Sequence, residues 1–296
     1  MIKKEKNLYY STQGKLVEEK VEFLRGAKFL YENFLGKFLR CFLRNRLIAR
    51  ICGAYQNSVF SKRKILPFIK KHNIDISEFD EEVSSFKSFN DFFIRKLKQG
   101  ARSIASGSNV VCSPADSKLF VVPDISKDVH FFVKNEKFNL ITFLEDKDLA
   151  YQHHNGTLML FRLAPYDYHR FHFPIDCVAT KPKIIHGAYE SVNPIAYRAG
   201  VQPLLKNERH LVVLKTEGFG EVIMVIIGAM FVGKIVHTYI PEKRYNKGEE
   251  MGYFAFGGST VALLFKNGEI KPKDLFLQHS AQGYETEIKM GQVVND

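Results

Sequence analysis

Ser259 stands in the run Gly257-Gly258-Ser259-Thr260, between two apolar stretches at 254–256 and 261–265 that read as strands. Gly257 and Gly258 have no Cβ, so the chain there can take backbone conformations closed to other residues and turn the Gly258 carbonyl towards the Ser259 hydroxyl. That spacing favours attack of the chain on itself, although the same four residues also suit an ordinary hairpin turn. A serine acts as a nucleophile when a base takes its proton and a third group orients the base. His169 and His172 lie in Pro165-Tyr-Asp-Tyr-His169-Arg-Phe-His172-Phe-Pro174, directly after a strand predicted at 158–163. Asp116 lies in Cys112-Ser-Pro-Ala-Asp116-Ser117, after a proline turn between two predicted strands. Asp116, His172 and Ser259 therefore supply the three types at loops bordering strands, and chain order does not decide the matter because such triads recur in several orders. Duller alternatives are an Asx turn at Asp116, a surface aromatic loop at the histidines, or metal ligation by the histidines with Asp167. No H-E-x-x-H or cysteine partner accompanies them, so catalysis ranks above metal binding and no metal is expected.

The elements that must position these groups are mainly strands. Val110-Val-Cys, Lys118-Leu-Phe-Val-Val, Thr157-Leu-Met-Leu-Phe, Leu211-Val-Val-Leu and the stretches 222–227 and 231–239 carry strand signals, with few helical patterns between them. This predicts an antiparallel β-rich domain, sandwich or barrel-like, rather than alternating βαβ units. A helical front precedes it. Residues 21–60 carry Phe and Leu at helical spacings, and Gly36 predicts two shorter helices rather than one. Between 21 and 50 basic residues are interleaved with that apolar set and the only acids are Glu22 and Glu32, a pattern that suits either a membrane interface or a helical layer on the protein's own core. A further helix follows Lys62-Arg-Lys64, with Pro67 in its first turn. Ser88-Phe-Asn-Asp91 resembles a capping box opening a supporting helix that Gly100 ends. A Gly/Ser-rich joint at 103–108 divides a helical region, 1–105, from a β-rich catalytic domain, 106–296, giving an α+β fold.

Composition narrows the class. The 296 residues are 45% hydrophobic and 25% charged, which excludes a disordered chain. A net charge of +11 implies an anionic partner, and the bulky apolar residues among the basic ones favour a membrane surface over nucleic acid. The four cysteines have no C-x-x-C spacing and read as free thiols of a reducing compartment. The N-terminus lacks the apolar core of a secretory signal, which points to the cytoplasmic side. The longest uncharged apolar run, 222–233, is too short for a span of about 20 residues and reads as a buried strand pair.

From about Phe86 onward the chain resembles the phosphatidylserine decarboxylases, which are self-processing pyruvoyl enzymes. The resemblance runs in order through Phe86-Lys-Ser-Phe-Asn-Asp-Phe-Phe-Ile-Arg-Lys-Leu-Lys98, Ser113-Pro-Ala-Asp116, Asp167-Tyr-His169-Arg-Phe-His172, Ser191-Val-Asn-Pro194 and Asn207-Glu-Arg209. It continues through Gly228-Ala-Met-Phe-Val-Gly233 and Lys247-Gly-Glu-Glu-Met-Gly-Tyr-Phe to Gly257-Gly258-Ser259-Thr260. Ser117 departs from the pattern, since the family usually has glycine after the aspartate.

The resemblance implies cleavage between Gly258 and Ser259. His172, oriented by Asp116, would take the Ser259 proton, and the hydroxyl would attack the Gly258 carbonyl to replace the peptide bond with an ester. β-Elimination would then leave dehydroalanine, which loses ammonia to become a covalent pyruvoyl group made from Ser259. The products would be a β chain, 1–258, and an α chain, 259–296. The pyruvoyl ketone would form a Schiff base with the amine of phosphatidylserine and accept the electrons released with carbon dioxide, yielding phosphatidylethanolamine. His169 or His172 would supply the proton, so His169 is a candidate proton donor. A lipid substrate also favours membrane docking by residues 21–60, as a peripheral protein on the cytoplasmic side of the cell membrane. The assembly is left open, with a homodimer as one form it allows. The rival classes are a serine esterase, which lacks a G-x-S-x-G elbow, and a non-enzymatic peripheral membrane protein; both predict an intact chain.

Overall fold

The computed structural model describes residues 7–19, 24–126, 138–230, 234–257 and 259–296. The front of the chain folds into α1 (Leu24–Glu32), α2 (Phe34–Leu43), α3 (Arg46–Asn57) and α4 (Ile65–His72), with a 3-10 turn at Val59–Lys64. Three helices therefore occupy the described part of 21–60, where two were expected; residues 21–23 lie outside the described residues. The reason is capping. Asn33 and Asn45 accept the N–H groups of Leu35 and Leu47 through their side chains and start α2 and α3. Gly36 instead lies inside α2, where a Cβ would sit 1.8 Å from the Phe29 carbonyl oxygen, so its bare backbone lets α1 and α2 meet.

Next comes α5 (Phe89–Phe93), capped as expected by Ser88 Oγ, which accepts the Asp91 N–H at 3.1 Å. The Asp91 carboxylate accepts from Lys87 N–H rather than from Ser88. This helix stops at Phe93 rather than running towards Gly100, because the chain beyond it pairs with 78–80: Asp80 N–H bonds to Lys96 O, and Lys98 N–H to Glu78 O.

The strands are β1 (Leu8–Tyr10), β2 (Leu16–Glu18), β3 (Ser117–Val122), β4 (Thr157–Leu163) and β5 (Arg170–His172). Then come β6 (Cys177–Ala179), β7 (Lys183–Ile185), β8 (Arg209–Lys215), β9 (Glu221–Gly228) and β10 (Ile235–His237). The last four are β11 (Arg244–Tyr245), β12 (Glu250–Phe254), β13 (Ser259–Phe265) and β14 (Glu285–Ile288). Among the described residues the larger sheet has the order β11-β6-β8-β9-β13-β4-β3-β14-β1-β2, with β7 also on β8, and it does not close. A smaller sheet has the order β10-β12-β5. All pairings are antiparallel except β1 with β14. The α+β class with an antiparallel β half is therefore what forms.

Side-chain alternation builds a core on each face of the large sheet. Val261, Leu263 and Phe265 join Phe171, Phe173, Met251 and Phe254 in the layer shared with the small sheet. Ala262 and Leu264 pack on the other face with Leu160, Ile223 and Phe143. Of the two shapes expected, the arrangement is thus a sandwich of facing sheets rather than a barrel. Val110-Val-Cys forms no strand, only a bridge from Cys112 to Val293. Of 231–239 only Ile235–His237 is strand, and 231–233 lie outside the described residues. No described helix is long and apolar enough to cross a membrane.

Candidate active site

The glycine-serine run is not a hairpin. The strand before it, β12, belongs to the small sheet, whereas β13 lies in the large sheet between β4 and β9, so the chain passes from one sheet to the other between Phe254 and Ser259. Gly257 has φ +140°, a conformation that favours glycine. Gly258 lies outside the described residues. Ser259 opens β13 in register with Leu163 of β4 and Gly228 of β9. It is fully buried, shares a face with Val261, and its Oγ has no hydrogen-bond partner among the described residues. Thr260 faces the other side, and its Oγ1 is buried and unpartnered too. Buried polar atoms are nearly always hydrogen-bonded, so this pair marks the start of β13 as unusual.

His169 leaves the loop that follows β4. It is fully buried, and its Nδ1 lies 2.9 Å from the Asp167 carbonyl oxygen. A carbonyl only accepts, so Nδ1 carries the proton and Nε2, which has no partner, is left as an acceptor. Burial lowers the His169 pKa to about 3, and the ring is neutral. The Phe93 ring lies 3.9 Å from it, and the His169 carbonyl accepts the Phe254 N–H at 3.0 Å. The loop is shaped by Asp167, whose carboxylate takes the Ala164 N–H at 2.7 Å and the buried Lys118 ammonium at 2.9 and 3.0 Å. Asp167 is thus committed to Lys118. That attraction, with Glu19, outweighs the burial that would lower the Lys118 pKa and holds it above the ordinary range. Arg95, also buried, supports the same loop by donating to the carbonyls of Tyr166 and Asp167 at 3.4 Å, and burial lowers it to about 10.

His172 ends β5. Phe171 and Phe173 point into the core between the sheets, so the His172 ring faces the opposite side, 5.7 Å from the Tyr168 ring. Burial lowers its pKa to about 4, against the opposing charges of Glu250 and Asp116, and its Nδ1 has no partner. Its backbone N–H donates to the Pro114 carbonyl at 2.8 Å, which brings the Asp116 loop alongside.

The Asp116 carboxylate is engaged elsewhere. Arg102 donates to both of its oxygens at 2.9 and 2.7 Å, the Met290 N–H donates at 2.9 Å, and Lys289 lies 3.4 Å away. Burial pushes the carboxyl up, but Arg102 and Lys289 outweigh it and hold the group below the usual range, ionised. Among the described residues no hydrogen bond joins Asp116 to His172, or His172 to Ser259. The Pro114 carbonyl brings Asp116 and His172 onto adjoining segments, whereas Ser259 opens β13 on the face of Val261, the layer from which the His172 ring turns away. Beside Asp116 opens a cleft of about 360 Å³, lined among others by Arg95, Arg102, Tyr168 and Lys289. Ser117, the departure from the family pattern, fits without strain: it begins β3, has no positive φ, and its hydroxyl donates to the Ala115 carbonyl at 3.2 Å.

Several supporting residues escaped the sequence reading. Lys118 is a buried cation in a stretch that reads as an apolar strand, and Arg102, its guanidinium largely covered, stands just before the stretch read as a joint. Asn207, in a block quoted only for its resemblance, donates to the Gly228 and Glu190 carbonyls at 2.8 Å and so braces the residue that pairs with Ser259. A capping asparagine has a pattern that can be read in the sequence, but a cross-strand brace has none.

A family model described as phosphatidylserine decarboxylase matches residues 89–295. Relatives carrying the name phosphatidylserine decarboxylase proenzyme include one from Chlamydia felis, 42% identical over 277 residues and 93% of each chain. One from Chlamydia muridarum is 43% identical, and one from Fusobacterium nucleatum 42%, each over 281 residues, 94% of this chain and 93% of the relative. The likeness therefore extends well ahead of Phe86, into the helical front.

Proposed function

The chain belongs to the phosphatidylserine decarboxylase family, and from that membership we propose that it works through a pyruvoyl group made by cutting itself between Gly258 and Ser259. It is a decarboxylase, with phosphatidylserine as substrate and phosphatidylethanolamine and carbon dioxide as products. The observation that carries the self-cleavage reading is the Ser259 hydroxyl, buried without a partner immediately after the crossing between the two sheets. The name proenzyme on the relatives supports it as well.

The residues present fit such a group. Ser259 supplies its three carbons, and Thr260 Oγ1, His169 Nε2 and His172 Nδ1 have hydrogen-bonding capacity that nothing among the described residues uses. A pyruvoyl group there supplies the electron-accepting carbonyl that loss of a carboxylate requires. In the cleavage step His172, neutral at pH 7, is the acceptor of the Ser259 proton, which requires its ring to turn towards Ser259 from the face it occupies here. Asp116 supports it through its negative charge, which favours the protonated ring, and through the loop that fixes the His172 backbone. His169 is the candidate proton donor to the substrate carbon: its bare Nε2 first takes up a proton, which a nearby anionic headgroup favours, and then delivers it. After cleavage the α chain, 259–296, begins with β13, and pairing on both sides with β4 and β9 keeps the two products together.

The membrane supplies the substrate, and the helical front is the docking surface on the cytoplasmic side. Phe34 and Phe60 are 90% and 77% exposed, with Phe38, Phe42, Leu47 and Ile51 also open and Lys28, Lys37 and Arg50 exposed among them. Intact-mass measurement tests the core of the proposal. Two chains divided after Gly258, the smaller one blocked by a pyruvoyl group, are the expected result, and a single full-length chain in an active preparation overturns it.

A further inference from the structure

The crossing between the sheets is anchored in an uneven way. Phe254 N–H donates to the His169 carbonyl at 3.0 Å and Ala255 N–H to the Lys234 carbonyl at 2.9 Å, both main-chain bonds. The next N–H, that of Phe256, donates instead to a side chain, Asn90 Oδ1 of α5, at 2.8 Å. Asn90 is buried, and its amide is oriented from behind, because Nδ2 donates to Asn57 Oδ1 at 2.9 Å and leaves Oδ1 for Phe256. Asn57 is the last residue of α3. The Phe256 ring lies 5.4 and 5.2 Å from those of Phe89 and Phe93, so α5 holds this residue by both main chain and ring. Two positions further on is the carbonyl that Ser259 must reach, with Gly257 between them. Intramolecular attack needs the reacting atoms about 3–3.5 Å apart, and a shift of about 1 Å can cost about 100-fold in rate.

We infer that Asn90 is a positioning residue for self-cleavage. By holding the Phe256 N–H it fixes where the chain enters Gly258 and hence the approach of the carbonyl to Ser259 Oγ, while Asn57 decides which end of the Asn90 amide faces the crossing. The inference rests on the self-cleavage reading. A free Phe256 N–H lets the crossing swing about Gly257, whose backbone resists rotation least. After cleavage Phe256 ends up on one chain and Ser259 on the other, so the hold acts on cutting far more than on turnover.

The test compares wild type, Asn90→Ala, Asn90→Asp and Asn57→Ala. Conversion of full-length chain to two chains is followed over time by intact mass, alongside melting temperature and decarboxylation rate per titrated pyruvoyl group. Asn90→Ala should cut about 10- to 100-fold more slowly, with a much smaller fall in turnover per pyruvoyl group. Asn90→Asp keeps the acceptor, and the Asn57 amide can turn to donate to it, so its cutting rate should return to within about threefold of wild type. Cutting of folded Asn90→Ala at the wild-type rate overturns the inference, as does Asn90→Asp cutting as slowly as Asn90→Ala. If Asn90→Ala does not fold, the exposed Asn57→Ala decides: slower cutting supports the inference and an unchanged rate overturns it. An uncut but active wild type instead overturns the self-cleavage reading, and the inference with it.

Discussion

The helical front and the start of β13 depart from the usual division of inside and outside in opposite directions. On the front, large apolar side chains such as Phe34 lie open to solvent; around Ser259, a hydroxyl, two imidazoles and the Lys118 ammonium lie buried. Each costs free energy in the isolated protein, the first through hydration of apolar surface and the second through desolvation of polar groups. The costs are met differently. Lys118 has Asp167, and Asp116 has Arg102, whereas Ser259 Oγ, Thr260 Oγ1 and His169 Nε2 have no partner among the described residues. On the front Phe38 and Phe42 touch each other edge to face but both stay exposed, as do Phe34 and Phe60. The ion pairs are therefore the fixed frame, and the two unsatisfied sets are what the proposed reaction and the proposed membrane would complete.

The largest effect should follow from breaking the frame. Lys118→Met leaves Asp167 buried without its cation, and removing one partner of a buried pair costs about 3–5 kcal/mol. Denaturant unfolding should show that loss, and Lys118→Met with Asp167→Asn should recover much of it. A single variant as stable as wild type would mean that the loop before His169 does not depend on the pair.

The buried histidines provide the next test, through pH. Burial depresses the folded pKa values of His169 and His172 to about 3 and about 4, from an ordinary 6.5. As pH falls below 6.5 the unfolded chain therefore binds protons that the folded chain does not, and stability is lost, down to about pH 4. The slope approaches about 1.4 kcal/mol per pH unit for each histidine once the pH is well below 6.5, which integrates to about 1.6 kcal/mol each between pH 6.5 and 5.0. His237, lowered to about 4 by burial, adds to the same window. His172→Gln should flatten the slope by one such contribution in urea titrations at the two pH values. An unchanged slope would place the His172 ring in contact with water.

The same contrast explains what could be read from the sequence. Strand and helix signals rest on local periodicity, so β3, β4, β8, β9 and β13 were legible as strands and the front as helix. Asn33 and Asn45 carry a local capping signal that the prominence of Gly36 obscured. Sheet membership is not local: Phe254 and Ser259 are close in sequence, yet they belong to different sheets, and where a hairpin turn was the duller alternative the chain crosses between sheets. Lys118 alternates in sequence like a solvent-facing residue but meets Asp167 across the fold. The types at Asp116, His172 and Ser259 were legible, but the commitment of Asp116 to Arg102 depends on a joint at 103–108 whose path the sequence does not determine.

The smallest effects should separate two kinds of cation on one helix. Along α2, Lys37 faces solvent, whereas Arg40 turns inward, 3.7 Å from the buried Glu190 carboxylate, which also accepts the Tyr31 hydroxyl at 3.1 Å. A basic residue near an anionic membrane contributes about 1 kcal/mol, which is about a fivefold change in binding, and the effect is screened by salt. Lys37→Gln should therefore weaken binding to phosphatidylserine-containing vesicles about fivefold at low salt, with no change on zwitterionic vesicles and none in melting temperature. Arg40→Gln should do the reverse, lowering the melting temperature by loosening the helix pair from Glu190 while leaving vesicle affinity of the folded protein nearly intact. Equal effects of the two substitutions in both assays would mean that α2 does not present one face to lipid and the other to the protein, and the docking surface would have to be sought elsewhere.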